Sequence, residues 1–349
     1  MEFEPELRTG PPWAMEEMIL GERELAPELL ASAEARQAGA LIRSALSAGQ
    51  PVVLTGCGTS EHAAMAGAQL VNEALGVGSA LARDAFEASL EPQTDGVLVG
   101  ISHEAGTTAT LDALAAAGAR GARTILVTAV PEGATQAELI VPTPLRDRSW
   151  CHTVGYLSPL LAVYAMSGPP AGPVLTILDE AYDRRPRYAA AAAQLADCER
   201  LLTAAGGVDE VTGRELALKL EEGAQIPVTP LGLEKILHGH LAAADARTGL
   251  IMLRFDPRHR EARDRRARDV QAAADVLGMA TVTLHASVEG IEPVAGALIA
   301  GALALQLLAL EFVLACGTNP DLIRREQPLY RAAAQAAENG PAPDGPAPG

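Results

Sequence analysis

The sequence has few aromatic residues and few cysteines. Phe, Trp and Tyr make up only 3% of the 349 residues, so the aromatic platforms on which single-stranded nucleic acids stack are not expected. The four cysteines are far apart and include no CxxC pair. A disulfide framework and a zinc site are therefore both disfavoured, and we expect neither a metal ion nor a cofactor.

Positive charge is also scarce, because 27 Lys and Arg residues face 44 Asp and Glu residues and the net charge is -17. An acidic surface repels the phosphates of nucleic acids and anionic membranes, so we expect neither as a partner. The N-terminal segment lacks a cationic stretch followed by an apolar run. We therefore predict no signal peptide and a cytoplasmic protein. The apolar run 294–316 contains Gln306 and Glu311, which favours a buried core helix over a membrane span.

Short apolar segments alternate with alanine-rich helical segments along most of the chain. This alternation predicts βαβ units and parallel sheets, and the length is that of two ordinary domains. Residues 15–48 are predicted to be helical, with a break at Pro27. The predicted strands are 52–54, 96–101, 124–128, 139–141, a weak one near 206–208, 250–255 and 280–284.

Composition also suggests how the chain is divided. We predict an N-terminal helical segment (1–48), a first domain (49–190), a second domain (191–335) and a disordered tail (336–349). The boundary between the two domains is placed in a helical stretch, and the tail is assigned from its Pro, Ala and Gly content.

Two loops rich in small and hydroxyl-bearing residues follow predicted strands. Residues 56–60 read Gly-Cys-Gly-Thr-Ser, and residues 102–108 read Ser-His-Glu-Ala-Gly-Thr-Thr. Glycines allow a sharp turn, and the free N–H groups of the next helix can hold an anion. Both loops would meet at one crevice of a doubly wound sheet. The alternative is that they are ordinary turns whose threonines cap the following helix.

Three charged residues follow a helical spacing. Glu215, Lys219 and Glu222 lie at i, i+4 and i+7 and share one helix face. A glutamate beside a lysine can be tuned to carry a proton, whereas the alternative is an exposed salt-bridge face of little energetic value. Further on, His238 can transfer protons or be structural. With His240 it could be a metal pair, but no further ligand accompanies it.

Five segments, in order, resemble the double-SIS (sugar isomerase) family, which includes the isomerase half of glucosamine-6-phosphate synthase. They are 56–63, 101–107, 215–222, 237–239 and 317–321, and the resemblance extends over residues 52–325. It implies an α/β fold of two SIS domains, each a parallel sheet flanked by helices in a flavodoxin-like, three-layer α/β/α arrangement. It also implies a homodimer that binds a sugar phosphate or a related sugar.

The resemblance implies a role for each candidate site residue. Glu222 would be the base that moves a proton between C1 and C2, while Lys219 and Glu215 would hold the sugar or tune Glu222. His238 would assist ring opening from the neighbouring subunit. The two loops would supply the substrate-binding residues Gly58, Thr59, Ser60, Ser102, His103, Glu104 and Thr107.

The sequence departs from the family at two functional positions. Glu104 stands where the second loop normally has a serine, and a carboxylate repels a phosphate dianion unless it turns away or is compensated. Residues 323–328 contain no lysine where the family has its Schiff-base lysine, so that mechanism is not expected. The chain also shows no glutaminase domain, so by itself it is not expected to take ammonia from glutamine.

We therefore predict an aldose–ketose isomerase or an amino-sugar-phosphate deaminase/isomerase. The alternatives are a sensor that binds a sugar phosphate without catalysis and an enzyme for an unphosphorylated sugar derivative.

Overall fold

The computed structural model describes residues 4–75, 80–132 and 136–339. In these residues the first sheet has five parallel strands in the order β2-β1-β3-β4-β5. Its strands are β1 (Val52–Gly56), β2 (Ala80–Asp84), β3 (Val97–Ile101), β4 (Arg123–Thr128) and β5 (Leu139–Pro142). The central strands β1 and β3 are buried along their whole length, because helices cover both faces of such a sheet.

The second sheet has four parallel strands in the order β7-β6-β8-β9. They are β6 (Arg200–Ala205), β7 (Val228–Gly232), β8 (Thr248–Leu253) and β9 (Ala280–Leu284). The predicted α/β class with two parallel sheets is confirmed.

Helices flank both sheets. They are α1 (Ala14–Leu30), α2 (Ala33–Ser47), α3 (Thr59–Leu75), α4 (Ala85–Leu90), α5 (Thr108–Ala119), α6 (Val154–Ala165), α7 (Ala171–Asp183), α8 (Arg185–Leu195), α9 (Asp209–Lys219), α10 (Arg260–Val276), α11 (Pro293–Cys316) and α12 (Pro328–Asn339). Helix α9 continues directly into a π-helical turn, Leu220–Ala224. Two short 3₁₀ turns, Lys235–Leu237 and His240–Ala243, follow β7.

Several strand predictions need correction. The strands β2 and β7 were not predicted, and both lie at sheet edges. Pro230 lies within β7, where an edge strand tolerates a residue without an N–H donor. The weak strand expected near 206–208 is β6, which ends just before the glycine pair.

The N-terminal helical segment and the tail also differ from expectation. The break lies at Ser32 rather than Pro27, because Ser32 Oγ accepts a hydrogen bond from Ala35 N (3.0 Å) and caps α2, whereas Pro27 lies inside α1. Residues 336–339 belong to α12 instead of a disordered tail, and the rest of that prediction, 340–349, lies outside the described residues. The domain boundaries remain a prediction.

Helix α11 forms the centre of the molecule. It is the one helix in the described parts of the chain that is long and apolar enough to cross a membrane, but 89% of its most apolar window is buried within the protein. It packs against α7 and α8 as well as α9. Gly301 permits one close contact, since a Cβ there would lie 2.7 Å from Thr212 Oγ1. Its burial and contacts are those of a core helix, as the sequence predicted.

The segment after α11 is tied to the start of α1. The Asp321 carboxylate accepts hydrogen bonds from the backbone N–H groups of Ala14 (2.8 Å) and Met15 (2.9 Å), satisfying donors that a helix start leaves free. Asn319 Oδ1 in turn accepts from Asp321 N (2.9 Å). This anchor fixes the start of α1 against the segment that follows α11.

Candidate functional site

A cleft of about 720 Å³ lies at the edge of the first sheet where its strands end. It is lined by the loops after the neighbouring strands β1 and β3, by residues after β4 and β5, by the end of α9 with the turn that follows it, and by residues after α11. Its walls consist of Cys57, Gly58, Thr59, Ser60, His103, Glu104, Gly106, Thr107, Val130, Arg146, Trp150, His152, Leu218, Glu222, Ile323 and Arg325. The two predicted loops therefore meet, as parallel neighbours in a doubly wound sheet must.

The first loop depends on two glycines. A Cβ on Gly56 would lie 2.6 Å from the backbone carbon and oxygen of Ser60, and Gly58 has a φ of +56°. This geometry lets α3 begin at once, at Thr59, with its first turn at the cleft. Cys57 also lines the cleft, and burial raises the pKa of its thiol.

The second loop brings part of the predicted set to the cleft. His103, Glu104 and Thr107 line it, but Ser102 is buried beneath it. The Ser102 hydroxyl lies 3.5 Å from Thr107 Oγ1 as a hydrogen-bond donor. Ser102 therefore supports the loop and does not face the cleft.

Glu104 is paired with an arginine that the sequence analysis did not identify. Arg146 Nε lies 2.9 Å from Glu104 Oε1, and Arg146 Nη2 lies 2.7 Å from Glu104 Oε2. The two side chains are 37% and 32% exposed, with the larger value on Arg146. The charge of Glu104 is therefore compensated inside the cleft by a bidentate pair.

His103 is a neutral hydrogen-bonding residue. Its Nε2 accepts a hydrogen bond from Asp147 N (2.8 Å), so the proton of the neutral ring is on Nδ1. Burial, followed by the nearby His152 ring at a centroid distance of 5.2 Å, lowers the pKa of His103 from 6.5 to about 4. The Asp147 carboxylate fixes this segment by accepting from the N–H of Thr153 (2.7 Å) and of Gly155 (3.1 Å).

The charged helix face forms a buried network across the domain interface. Lys219 and Glu215 are fully buried, and Lys219 Nζ lies 2.5 Å from Glu222 Oε2 and 3.6 Å from Glu215 Oε1. Glu215 Oε1 also accepts a hydrogen bond from Thr59 Oγ1 (3.2 Å), and Glu215 Oε2 accepts one from His62 Nδ1 (2.7 Å). The alternative of an exposed salt-bridge face is wrong, because only Glu222, at 21% exposed, reaches the cleft.

The network keeps Lys219 charged. Burial acts to lower its pKa, but the Glu222 and Glu215 carboxylates outweigh burial and raise it. Lys219 is thus a fixed cation beside the cleft carboxylate.

The π-helical turn presents Glu222 at the cleft. Such turns often occur at functional sites. This one ends at Gln225, whose φ is +62°. Gly223 is required within it, since a Cβ there would lie 2.9 Å from Val313 Cγ2. Thr318 Oγ1 donates to Gly223 O (2.7 Å), so the segment after α11 also holds the turn in place.

His238 is not brought to the cleft in this chain. Its side chain is 70% exposed, and Nε2 lies 2.8 Å from Glu234 Oε1. No group of three or more His, Cys, Asp or Glu residues in the described parts of the chain is placed to hold a metal ion.

Several cleft residues were missed from the sequence. His62 contacts Glu215 without lining the cleft, and it had a usable signal, because it lies three residues after Thr59 and so shares its helix face. Arg146, Trp150 and His152 lie in the irregular segment after β5, which has no periodicity from which a role can be read. Arg325 lies 4.8 Å from the centre of the Trp150 ring. It belongs to residues 323–328, where the resemblance would place the family's Schiff-base lysine.

Comparison with known proteins identifies the fold. No protein-family model matches the sequence, and no curated protein matches it. The C-terminal domain of glucosamine-fructose-6-phosphate aminotransferase from Francisella tularensis superimposes with a TM-score of 0.76 at 16% identity, over 90% of this chain and 99% of that chain. The chain has the double-SIS fold. The predicted resemblance to the double-SIS family is thereby confirmed at the level of the fold.

Two further structures share this double-SIS fold. Tagatose-6-phosphate ketose/aldose isomerase from Escherichia coli matches with a TM-score of 0.73 at 17% identity, over 92% of this chain and 98% of that chain. Glucosamine-6-phosphate deaminase from Thermotoga maritima matches with a TM-score of 0.70 at 16% identity, over 88% of this chain and 96% of that chain. At these identities the likeness establishes the architecture alone.

Proposed function

We propose that this double-SIS protein binds a sugar phosphate in the cleft and moves a proton between adjacent carbons of the sugar. The reaction is an aldose–ketose isomerisation or an amino-sugar-phosphate deamination coupled to isomerisation. The observation that carries the proposal is Glu222, a carboxylate that opens onto the cleft and is held 2.5 Å from the buried cation Lys219. The three compared structures carry sugar 6-phosphates in their names, which supports the substrate class.

The central requirement of this reaction is a base positioned beside the two sugar carbons. Glu222 takes the proton from C2 as electrons move towards the C1 carbonyl, and the proton of the C2 hydroxyl passes to the oxygen on C1. The Glu222 carboxyl then returns its proton to C1 as the carbonyl forms at C2. Lys219 Nζ, 2.5 Å from Glu222 Oε2, holds this carboxyl at the cleft. The buried Glu215 holds Lys219 from the opposite side.

A Schiff base between the protein and a ketose is not part of this proposal. The chain has two lysines, Lys219 and Lys235. Lys219 is buried between two carboxylates. Lys235 is 66% exposed near Glu210 and does not line the cleft.

The phosphate end of the ligand is assigned to the two loops. Helices α3 and α5 both begin there, and helix starts carry free N–H groups and a partial positive charge. Ser60 and Thr107, one from each loop, line the cleft. We also propose a cytoplasmic homodimer in which His238 of the partner subunit completes the cleft, since His238 lies outside it in its own chain.

A binding-only sensor is the second candidate, favoured by the position of His238 outside the cleft and by a cleft wall that contains no lysine among the described residues. The discriminating variant is Glu222→Gln, which keeps the shape of the side chain and removes the base. We expect glucosamine 6-phosphate or tagatose 6-phosphate to raise the thermal unfolding midpoint of the wild type and of Glu222→Gln alike. Turnover should fall by about 10²- to 10⁴-fold in the variant.

The matched control is Glu221→Gln, because Glu221 accepts a hydrogen bond from Val228 N (3.2 Å) and does not line the cleft. It should leave turnover within a few-fold of wild type. Binding without turnover in the wild type would favour the sensor. No stabilisation by any phosphorylated sugar would remove the sugar-phosphate proposal.

A further inference from the structure

Glu104 creates an electrostatic problem at the end of the cleft that the proposed function assigns to a phosphate. Its carboxylate lines the same wall as Thr107. A phosphate dianion placed there would be repelled, since like charges a few ångströms apart strongly disfavour each other away from bulk water.

Arg146 compensates the charge of Glu104 from a different part of the sheet edge. It lies beyond β5, 42 residues from Glu104, and it also lines the cleft. Its two hydrogen bonds, at 2.9 and 2.7 Å, are made by Nε and Nη2 to the two oxygens of one carboxylate. A bidentate pair of this kind fixes the plane of the guanidinium, which presents five N–H donors in a rigid fork.

We propose that Arg146 is the residue that makes this cleft selective for a phosphorylated ligand despite the carboxylate in its loop. Arg146 neutralises Glu104 and faces the phosphate, and Glu104 is a positioning residue that holds the guanidinium at the cleft wall. The pair replaces the serine of the related loops with a charge-balanced unit. This inference rests on the proposed function, because it presupposes a phosphorylated ligand.

Substitutions of Arg146 and Glu104 should have non-additive effects on the affinity for a phosphorylated sugar. Arg146→Ala leaves the Glu104 carboxylate uncompensated beside the phosphate, and affinity should fall by about 10- to 100-fold. Glu104→Ser alone should change affinity by only a few-fold. In the double variant the repulsive carboxylate is gone, so affinity should recover at least about tenfold from that of Arg146→Ala, a coupling typical of residues in direct contact.

The measurement is the dissociation constant by titration calorimetry, with glucosamine 6-phosphate, tagatose 6-phosphate, inorganic phosphate and the unphosphorylated sugars glucosamine and tagatose as probes. Arg148→Ala is the matched control, because Arg148 pairs with Glu17 (2.7 Å) and does not line the cleft. The thermal unfolding midpoint of each variant without ligand shows whether the variant is folded. The control should bind like the wild type.

Three results would overturn the inference. If Arg146→Ala binds the phosphorylated probe as tightly as wild type, Arg146 is not the selective residue, and the proposed function still stands. If the double variant is no better than Arg146→Ala, charge compensation is not the mechanism. If the wild type binds only unphosphorylated sugars while Glu104→Ser gains phosphate binding, the pair excludes phosphate, and the sugar-phosphate part of the proposed function fails with it.

Discussion

His62 Nδ1 lies 2.7 Å from Glu215 Oε2, although the two residues are 153 positions apart. His62 is in the first turns of α3, which follows the first glycine loop, and Glu215 is in α9 of the second half. Their hydrogen bond joins the loop that lines one wall of the cleft to the helix that carries Lys219 and Glu222. The site is therefore assembled by the packing of the two halves.

The first prediction concerns this contact. His62→Leu removes a donor from the fully buried Glu215 carboxylate, and an unsatisfied buried group costs about 1–3 kcal/mol in the free energy of unfolding. His62→Asn keeps a donor at nearly the same position and should recover most of that loss. Urea denaturation of the three proteins measures the difference. Equal stability of His62→Leu and wild type would show that the contact contributes nothing.

The second prediction is a pH dependence of stability that comes from His103. Its pKa is lowered to about 4 in the folded protein, so the unfolded chain binds the proton more readily between about pH 4 and 6.5. The stability that the neutral ring contributes is present above pH 6.5 and is lost as the pH falls towards 4. From pH 7 to pH 5 the loss should be about 2 kcal/mol.

His103→Gln is the variant that checks it. A glutamine oxygen can accept the Asp147 N–H bond without titrating in this range. The difference in unfolding free energy between pH 7 and pH 5 should therefore be smaller in the variant than in wild type by about 2 kcal/mol. An identical difference in both proteins would mean that His103 binds protons equally well in the folded and unfolded states.

The third prediction compares two glycines of the cleft loops. Gly56→Ala places a Cβ 2.6 Å from the Ser60 backbone, so the loop and the start of α3 must shift, at a cost of about 1–3 kcal/mol. Gly106→Ala meets nothing closer than Glu104 O at 3.8 Å, and Gly106 does not have a positive φ. Thermal unfolding and ligand titration should show loss of stability and affinity in the first variant only. Equal effects would contradict the tight loop geometry.

The fourth prediction tests the proposed dimer and the role of His238. If His238 of the partner subunit completes the cleft, then Glu222→Gln and His238→Ala proteins are each inactive alone. In mixed dimers one of the two sites has both residues intact. Mixing equal amounts, with subunit exchange, should restore about a quarter of wild-type activity, as closed two-fold symmetry requires. No recovery in a mixture shown to contain mixed dimers would place the function of His238 elsewhere.

The amino-acid sequence was sufficient for features that depend on local patterns. Alternating apolar and helical segments predicted parallel sheets, because strands buried on both faces read as short apolar runs. The two loops could be placed together, since neighbouring parallel strands end at one edge. The spacing of Glu215, Lys219 and Glu222 placed them on one face. The edge strands β2 and β7 lacked such a pattern and were missed.

The tertiary structure alone decided what those side chains meet. Burial of Lys219 and Glu215 came from the packing of α9 against α3 and α11, and no spacing rule distinguishes a buried charged face from an exposed one. The position of Arg146 opposite Glu104 depends on where an irregular segment crosses the sheet edge. The sequence thus determined which chemical groups the cleft could use, while long-range packing determined which charges are compensated, because hydrogen bonds and ion pairs depend on distance in space and not on separation along the chain.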